Sequence, residues 1–236
     1  MNEQPAIEIF GIQILEPVTT FTDLIISAVC FYAFYKLSGI PVNNRVHFFL
    51  RYYFLSMAMA TAIGGLLGHG FSYLFSDENL IGVSPWKLPG WLISMISIAL
   101  VERASIESAR KLIDPKIGKF FAWLNIIELL TFMTITFITL NFFFVEVHSA
   151  YGLLVVVAGF NAFIYYRIRS KGSKLFLIAV GISALSAIIF MNEWGINKWF
   201  NHFDISHCLM AISAYFFYLG AREEIEHTYI FEKKEE

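Results

Sequence analysis

"FFAWLNIIELLTFMTITFITLNFFFVEVHSAYGLLVVVAGFNAFIYY", residues 120–166, runs for 47 residues without a proline, a lysine or an arginine. As a single helix it would extend about 70 Å, more than twice the roughly 30 Å thickness of a bilayer's hydrocarbon core. It therefore reads as two spans. Asn141, Glu146 and His148 in "LNFFFVEVHS" interrupt the apolar pattern and mark the turn between them. The rest of the chain is of the same kind, with 57% hydrophobic residues, 25 Phe and only 15% charged residues, too little charge to coat a soluble domain of this length.

Further apolar runs near 18–37, 47–75, 90–113, 174–191 and 200–221 join those at 120–140 and 142–166. The expected fold is all-α, a polytopic bundle of seven transmembrane helices over residues 18–221, flanked by an extracytoplasmic N-terminal segment 1–17 and a cytoplasmic tail 222–236 whose end, "EKKEE", is expected to be disordered. "MNEQPAIEIFGIQILEP" has no basic residue of the kind that opens a cleavable signal peptide, so the first helix is expected to stay in place. With the N-terminus outside, 15 of the 17 Lys and Arg fall on inner segments and only Lys87 and Lys198 fall outside. That bias predicts an N-out, C-in integral membrane protein. Trp86, Trp91, Trp194 and Trp199 then gather at the outer ends as an aromatic belt.

A net charge of −2 points to no nucleic acid. P-loop, GxSxG, HExxH and dinucleotide fingerprints are absent from the sequence. Cys30 and Cys208 lie inside apolar runs and read as small buried hydrophobes rather than a disulfide. What remains is a set of ionisable residues at one expected depth. His69 stands near the outer end of the second helix, His202, Asp204 and His207 open the seventh, His148 opens the fifth, and Asp23 lies in the outer part of the first. Ionisable groups inside a bundle face one another or a wet cavity, so a shared polar site is expected there.

Asp204 and His207 are three residues apart and share a helix face, so the carboxylate either binds beside the imidazole or orients it. His202 points about 140° away from His207 on a regular helix and joins it only if the helix begins irregularly. His69 and His207, with His202 or His148, make the nitrogen set that suits zinc. Gly64, Gly65, Gly68 and Gly70 around His69 allow a neighbouring backbone to approach closely. Glu128 and Asn125 on the fourth helix and Asn161 on the fifth offer a proton path or interhelical hydrogen bonds. Arg103 and Glu107 read as an i,i+4 pair on a solvated inner helix end.

A His late in the second helix, and a His pair opening the seventh within "WFNHFDISHCLMAISAYFFYLGA" at 199–221, resemble the CREST superfamily of membrane hydrolases. That superfamily takes in alkaline ceramidases, progestin and adiponectin receptors and haemolysin III proteins. The same stretch is similar to that of bacterial seven-helix proteins, which implies a bacterial inner membrane. The resemblance implies a zinc ion held by His69, His202 and His207 that activates water against a lipid amide or ester, with membrane lipids as partners and a lipid-like substrate. The chain departs from the superfamily in three places. Its seventh-helix pair is one residue wider than HxxxH, Gly65 stands where the superfamily has Ser, and Asp77 is the one candidate for its third-helix Asp.

Three classes of function follow. The first is a zinc-dependent lipid amidase or esterase in which Asp204 or Asp23 moves the proton. The second is a haem or electron-transfer protein with histidines from two helices on the iron. The third is a non-catalytic sensor, receptor or transporter that uses the polar layer to bind a small ligand or a proton.

Overall fold

The computed structural model describes residues 5–41, 44–75 and 85–235, with side chains through residue 226. Strands β1 (Ile7–Ile9) and β2 (Ile12–Ile14) pair antiparallel. Phe10 and Gly11 between them both have positive φ, 53° and 78°, as a two-residue hairpin turn requires. The composition of this segment had given no sign of a hairpin.

Local chemistry sets the helix ends. Helix α1 (Pro17–Ser38) starts on a proline whose missing N–H would have no partner there. In α2 (Arg45–Ile63) the Asn44 side chain accepts the His47 N–H at 2.8 Å. Helix α3 covers Leu88–Ala109. At α4 (Pro115–Thr139) the Asp114 carboxylate accepts the Lys116 N–H at 2.7 Å, and Leu140 at φ 49° stops the helix. The turn then falls where Asn141 predicted it, before α5 (Phe143–Ala150). Helix α6 (Ala158–Ile168) ends on left-handed Arg169, and Ser170 caps α7 (Lys171–Met191). Helix α8 (His202–Glu235) continues through most of the expected cytoplasmic tail and into "EKKEE", the stretch expected to be disordered.

Two wide π turns interrupt this pattern. Gly64–Gly70 extends α2, and Tyr151–Val157 joins α5 to α6 into one long helix. Such turns insert an extra residue into the helical ladder and recur at functional sites.

Six helices are long and apolar enough to cross a membrane: Pro17–Ser38, Arg45–Gly70, Pro115–Thr139, Phe143–Ile168, Lys171–Met191 and His202–Glu226. The chain is a multi-pass, all-α membrane protein. Helix α3 falls outside this set, because Glu102, Arg103 and Glu107 crowd its second half, yet it is deeply enclosed. Met95, Val101, Glu102 and Ala109 on it have no exposed surface.

The helices α1, α2, α3, α5/α6, α7 and α8 pack successively into a closed ring, and α4 lies outside it against α3 and α5. Helix α4 accordingly turns Phe120, Trp123, Ile127, Leu130 and Phe137 outward, an apolar face that only lipid tails would cover without cost. Inside the ring, Cys30, Ala33 and Leu37 of α1 pack with Phe54 of α2, Val101 of α3 and Phe217 of α8. Both cysteines are free. Hydroxyls join α7 to α8, with Ser183 Oγ 2.8 Å from Ser213 Oγ and Ser186 and Ser206 each donating to the other's carbonyl at 2.9 Å. Small polar residues of this kind hold membrane helices together where no hydrophobic effect acts between them.

Arg103 and Glu107 do pair, at 3.1 Å, but not on a solvated surface. The Glu107 side chain is 7% exposed, and Arg110 also bonds it, at 3.1 Å.

Candidate functional site

The stretch "GGLLGHG" at 64–70 forms the first π turn, and its glycines let α1 lie directly on its backbone. A Cβ added at Gly65 would come within 2.8 Å of the Asp23 Cβ and 3.1 Å of the Thr20 carbonyl. Gly65, where the resembled superfamily has Ser, therefore makes the space that Asp23 occupies. His69 leaves the same turn. Its Nδ1 bonds the Glu16 carboxylate, and its Nε2 lies 3.9 Å from Asp23 Oδ2.

His207 reaches the same carboxylate from α8. Its Nε2 is 3.6 Å from Asp23 Oδ1 and its Nδ1 is 3.1 Å from Thr22 Oγ1. The Thr22 hydroxyl donates its single proton to the Thr19 carbonyl at 3.0 Å, so toward His207 it can only accept. That assigns the His207 proton to Nδ1. The Glu16 carboxylate, also an acceptor, assigns the proton of a neutral His69 ring to Nδ1 in the same way. Two Nε2 lone pairs thus face the two oxygens of one buried carboxylate. The ring centroids are 6.3 Å apart, and Phe203 packs against both, at 5.8 and 6.5 Å.

Asp204 is fully buried and is held by two hydrogen bonds at the start of α8. Thr19 Oγ1 donates to its Oδ1 at 2.9 Å and the Asn201 N–H to its Oδ2 at 2.7 Å. It secures the start of α8 and fixes Thr19, whose carbonyl takes the Thr22 proton. Asp204 therefore supports His207 through two threonines.

Glu16 was not singled out in the sequence, where it stood only as one residue of the N-terminal segment. It sits just before α1 with φ 41°, beside Leu15, whose N–H bonds the Gly70 carbonyl at 2.9 Å. The hydrogen bond from His69 holds its carboxyl below the usual range, against the opposing effect of burial.

His202 and His148 stand apart from this pair. Helix α8 is regular from its first residue, and the Ile205 N–H bonds the Asn201 carbonyl at 3.2 Å. His202 therefore keeps the turned-away direction that 3.6 residues per turn dictates. Its ring packs on Phe203 at 4.4 Å and Phe190 at 5.7 Å. With Glu16, Asn201 and Phe203 it lines a groove of about 680 Å³, within the roughly 300–1,000 Å³ usual for small-molecule sites.

His148 belongs to a second cluster, with Glu128 of α4 at 2.5 Å and Glu102 of α3. The single layer expected from depth is thus two groups on different sides of the ring. Asn125 and Asn161 make interhelical hydrogen bonds, to Glu102 at 3.0 Å and to Ser105 at 3.0 Å. Asp77 lies outside the described residues.

The model of a family described as a family of unknown function, DUF6962, matches residues 18–226, from the second residue of α1 into α8. No curated protein and no solved structure matches the chain.

Proposed function

The chain belongs to the DUF6962 family of unknown function, and we propose that it is a zinc-dependent membrane hydrolase acting on a lipid amide or ester. In this proposal it has seven spans, N-out and C-in, and lies in a bacterial inner membrane. One observation carries the metal: the Nε2 atoms of His69 and His207 both turn to the Asp23 carboxylate at 3.9 and 3.6 Å, while both Nδ1 atoms are held elsewhere. A cation between them would satisfy all three acceptors. Histidines that ligate zinc characteristically give their other N–H to a carboxylate, a carbonyl or a similar acceptor, as Glu16 and Thr22 take it here. His69, His207 and Asp23 would hold the ion, leaving a fourth position open.

Bound there, zinc supplies water activated near neutral pH and polarisation of a carbonyl. Residues of the chain supply the rest. Glu16 lies between His69 and the groove, and its ionised carboxylate is placed to accept a proton from water. Thr22 keeps His207 in the tautomer that presents Nε2. Phe203 and Phe190 give the groove an apolar wall for an acyl chain, and His202 beside them meets the substrate rather than the ion. Zinc is favoured over haem because Asp23 stands between the two rings, where a porphyrin would have to lie.

The test is elemental analysis of protein purified in detergent without chelator, combined with turnover of lipid amide and ester reporters. His69→Ala and His207→Ala should each remove one zinc equivalent and abolish turnover. His202→Ala should keep the metal and raise KM, and Asp204→Asn should weaken metal affinity by about 10 to 100-fold. Unchanged zinc in both His69→Ala and His207→Ala would overturn the metal centre. Full zinc with no turnover of any lipid reporter would leave a zinc-binding sensor, receptor or transporter in place of the hydrolase. Reporter fusions after Glu236 and before Ile7 test the orientation, which fails if both report the same side.

A further inference from the structure

The second cluster lies away from the groove and takes no part in the reading above. Glu102 of α3, Glu128 of α4 and His148 of α5 each place one ligand atom within 4.8 Å of the others. Glu102 and His148 are fully enclosed, and the Glu128 side chain is 9% exposed.

The hydrogen bonds leave this group short of positive charge. His148 Nε2 donates to the Met95 carbonyl at 3.0 Å, which leaves Nδ1 facing Glu128 Oε1 at 2.5 Å, a contact that needs a proton or a cation between the two atoms. Glu102 Oε2 accepts from Asn125 Nδ2 at 3.0 Å. Glu102 Oε1 and Glu128 Oε2 are buried with no hydrogen-bond partner. Buried polar atoms of native proteins are almost always satisfied, and the exceptions call for a specific cause such as an ion. The backbone is also cut away for one of them, since a Cβ on Gly152 would lie 2.2 Å from Glu102 Oε1.

Charge and ligand type identify the missing group. Two carboxylates and a neutral imidazole carry −2, which a divalent cation cancels, as a low-dielectric interior demands. One nitrogen and two carboxylates suit zinc, manganese or ferrous iron better than calcium or magnesium. A His whose second N–H is fixed on a backbone carbonyl matches the orientation of a metal ligand. We propose that Glu102, Glu128 and His148 form a second metal site, for a divalent transition ion, that ties α4 to the ring. Helix α4 packs on the outside of the bundle, mainly against α3 and α5, and these are the two helices that supply the other ligands.

The experiment uses the full-length protein in detergent. Elemental analysis for zinc, manganese and iron should show that Glu102→Gln, Glu128→Gln and His148→Asn each lose one metal equivalent, and that this equivalent is retained in the His69→Ala, His207→Ala double variant. Where an inner variant fails to fold, the double variant remains decisive. After chelation, addition of zinc or manganese salt alone should raise its melting temperature, and Glu128→Gln added to the same background should abolish that rise. Metal content unchanged in all three inner variants overturns the site. So does a melting temperature of the double variant that neither ion moves, an outcome that would leave the three side chains sharing protons alone. Loss of the outer zinc proposal would not change either result.

Discussion

The groups around His207 and around His148 are built from the same parts and differ in their access to water. Each sets an imidazole against carboxylates from neighbouring helices, and each lies at a π turn whose glycine makes room for a carboxylate, Gly65 for Asp23 and Gly152 for Glu102. The outer group opens through Glu16 onto a groove. There each ring has a side-chain acceptor, and the shared carboxylate lies between two nitrogens. The inner group is closed, anchored on a backbone carbonyl, and holds two carboxylate oxygens with no partner. Open geometry suits exchange of water and substrate, whereas closed geometry suits a permanent occupant. The residue types alone do not separate these two roles.

The sharpest way to break this contrast is to remove one carboxylate from each group. Glu128→Ala leaves His148 buried without its partner and should cost about 3–5 kcal/mol, measured as unfolding free energy in mixed detergent. Glu16→Ala, on a side chain 32% exposed against 9% for Glu128, should cost less than half of that. Equal losses would remove the distinction between open and closed. The two glycines give a steric test of the same pairing. Gly152→Ala and Gly65→Ala should each cost about 1–3 kcal/mol, with Gly152 the worse because its Cβ would meet Glu102 at 2.2 Å and Ile98 at 2.4 Å. Gly181→Ala on α7, with nothing within 4 Å, should instead stabilise by about 0.5–1 kcal/mol.

Much of the fold was legible because lipid imposes simple rules. Run length, the break at Asn141 and the glycines around His69 all predicted features that the structure contains. The hairpin at Ile7–Ile14 was not legible, since its signal rests on two backbone dihedrals, and a Phe at one of them is no turn residue. Depth along a helix could be read, but direction around it was weighed only on the seventh helix. That is why His148 was grouped with His69, although it opens toward α3 and α4. Glu102 was passed over as part of a charged helix end. Yet Met95, Ile98, Glu102, Ser105 and Ala109 recur at three- and four-residue spacing and are all buried, a stripe that places Glu102 on the inner face. Glu16 could not be found by any periodicity, because it precedes the helix.

Smaller effects sharpen the outer half of the contrast. Thr22→Val removes the acceptor that holds the His207 tautomer and should weaken zinc binding by about 10 to 100-fold in competition with a chromogenic chelator. Thr22→Ser should restore it. The smallest effect concerns pH. Because the Glu16 carboxyl is held below its usual range, its bond to His69 stabilises the protein above the pKa of the unfolded carboxyl. That contribution is lost as pH falls through the lowered value. The melting-temperature gap between wild type and Glu16→Gln should therefore be widest near neutral pH and close on acidification. A gap that widens in acid would remove Glu16 from the outer group.

The π turn at Gly64–Gly70 also sets how sequences of this kind can change length. An i→i+5 turn holds one residue more than an α turn, so deleting one residue there would convert it to plain α-helix while the residues beyond it kept their direction. Deleting a residue from the regular part of α2 would instead swing everything beyond the cut by about 100°, and His69 would leave Asp23. Gly68, with no atom within 4 Å of its missing Cβ, is where a deletion would disturb packing least. In any alignment of related chains, a one-residue gap should therefore fall inside this heptapeptide, and a gap elsewhere in α2 should coincide with loss of the histidine's partners.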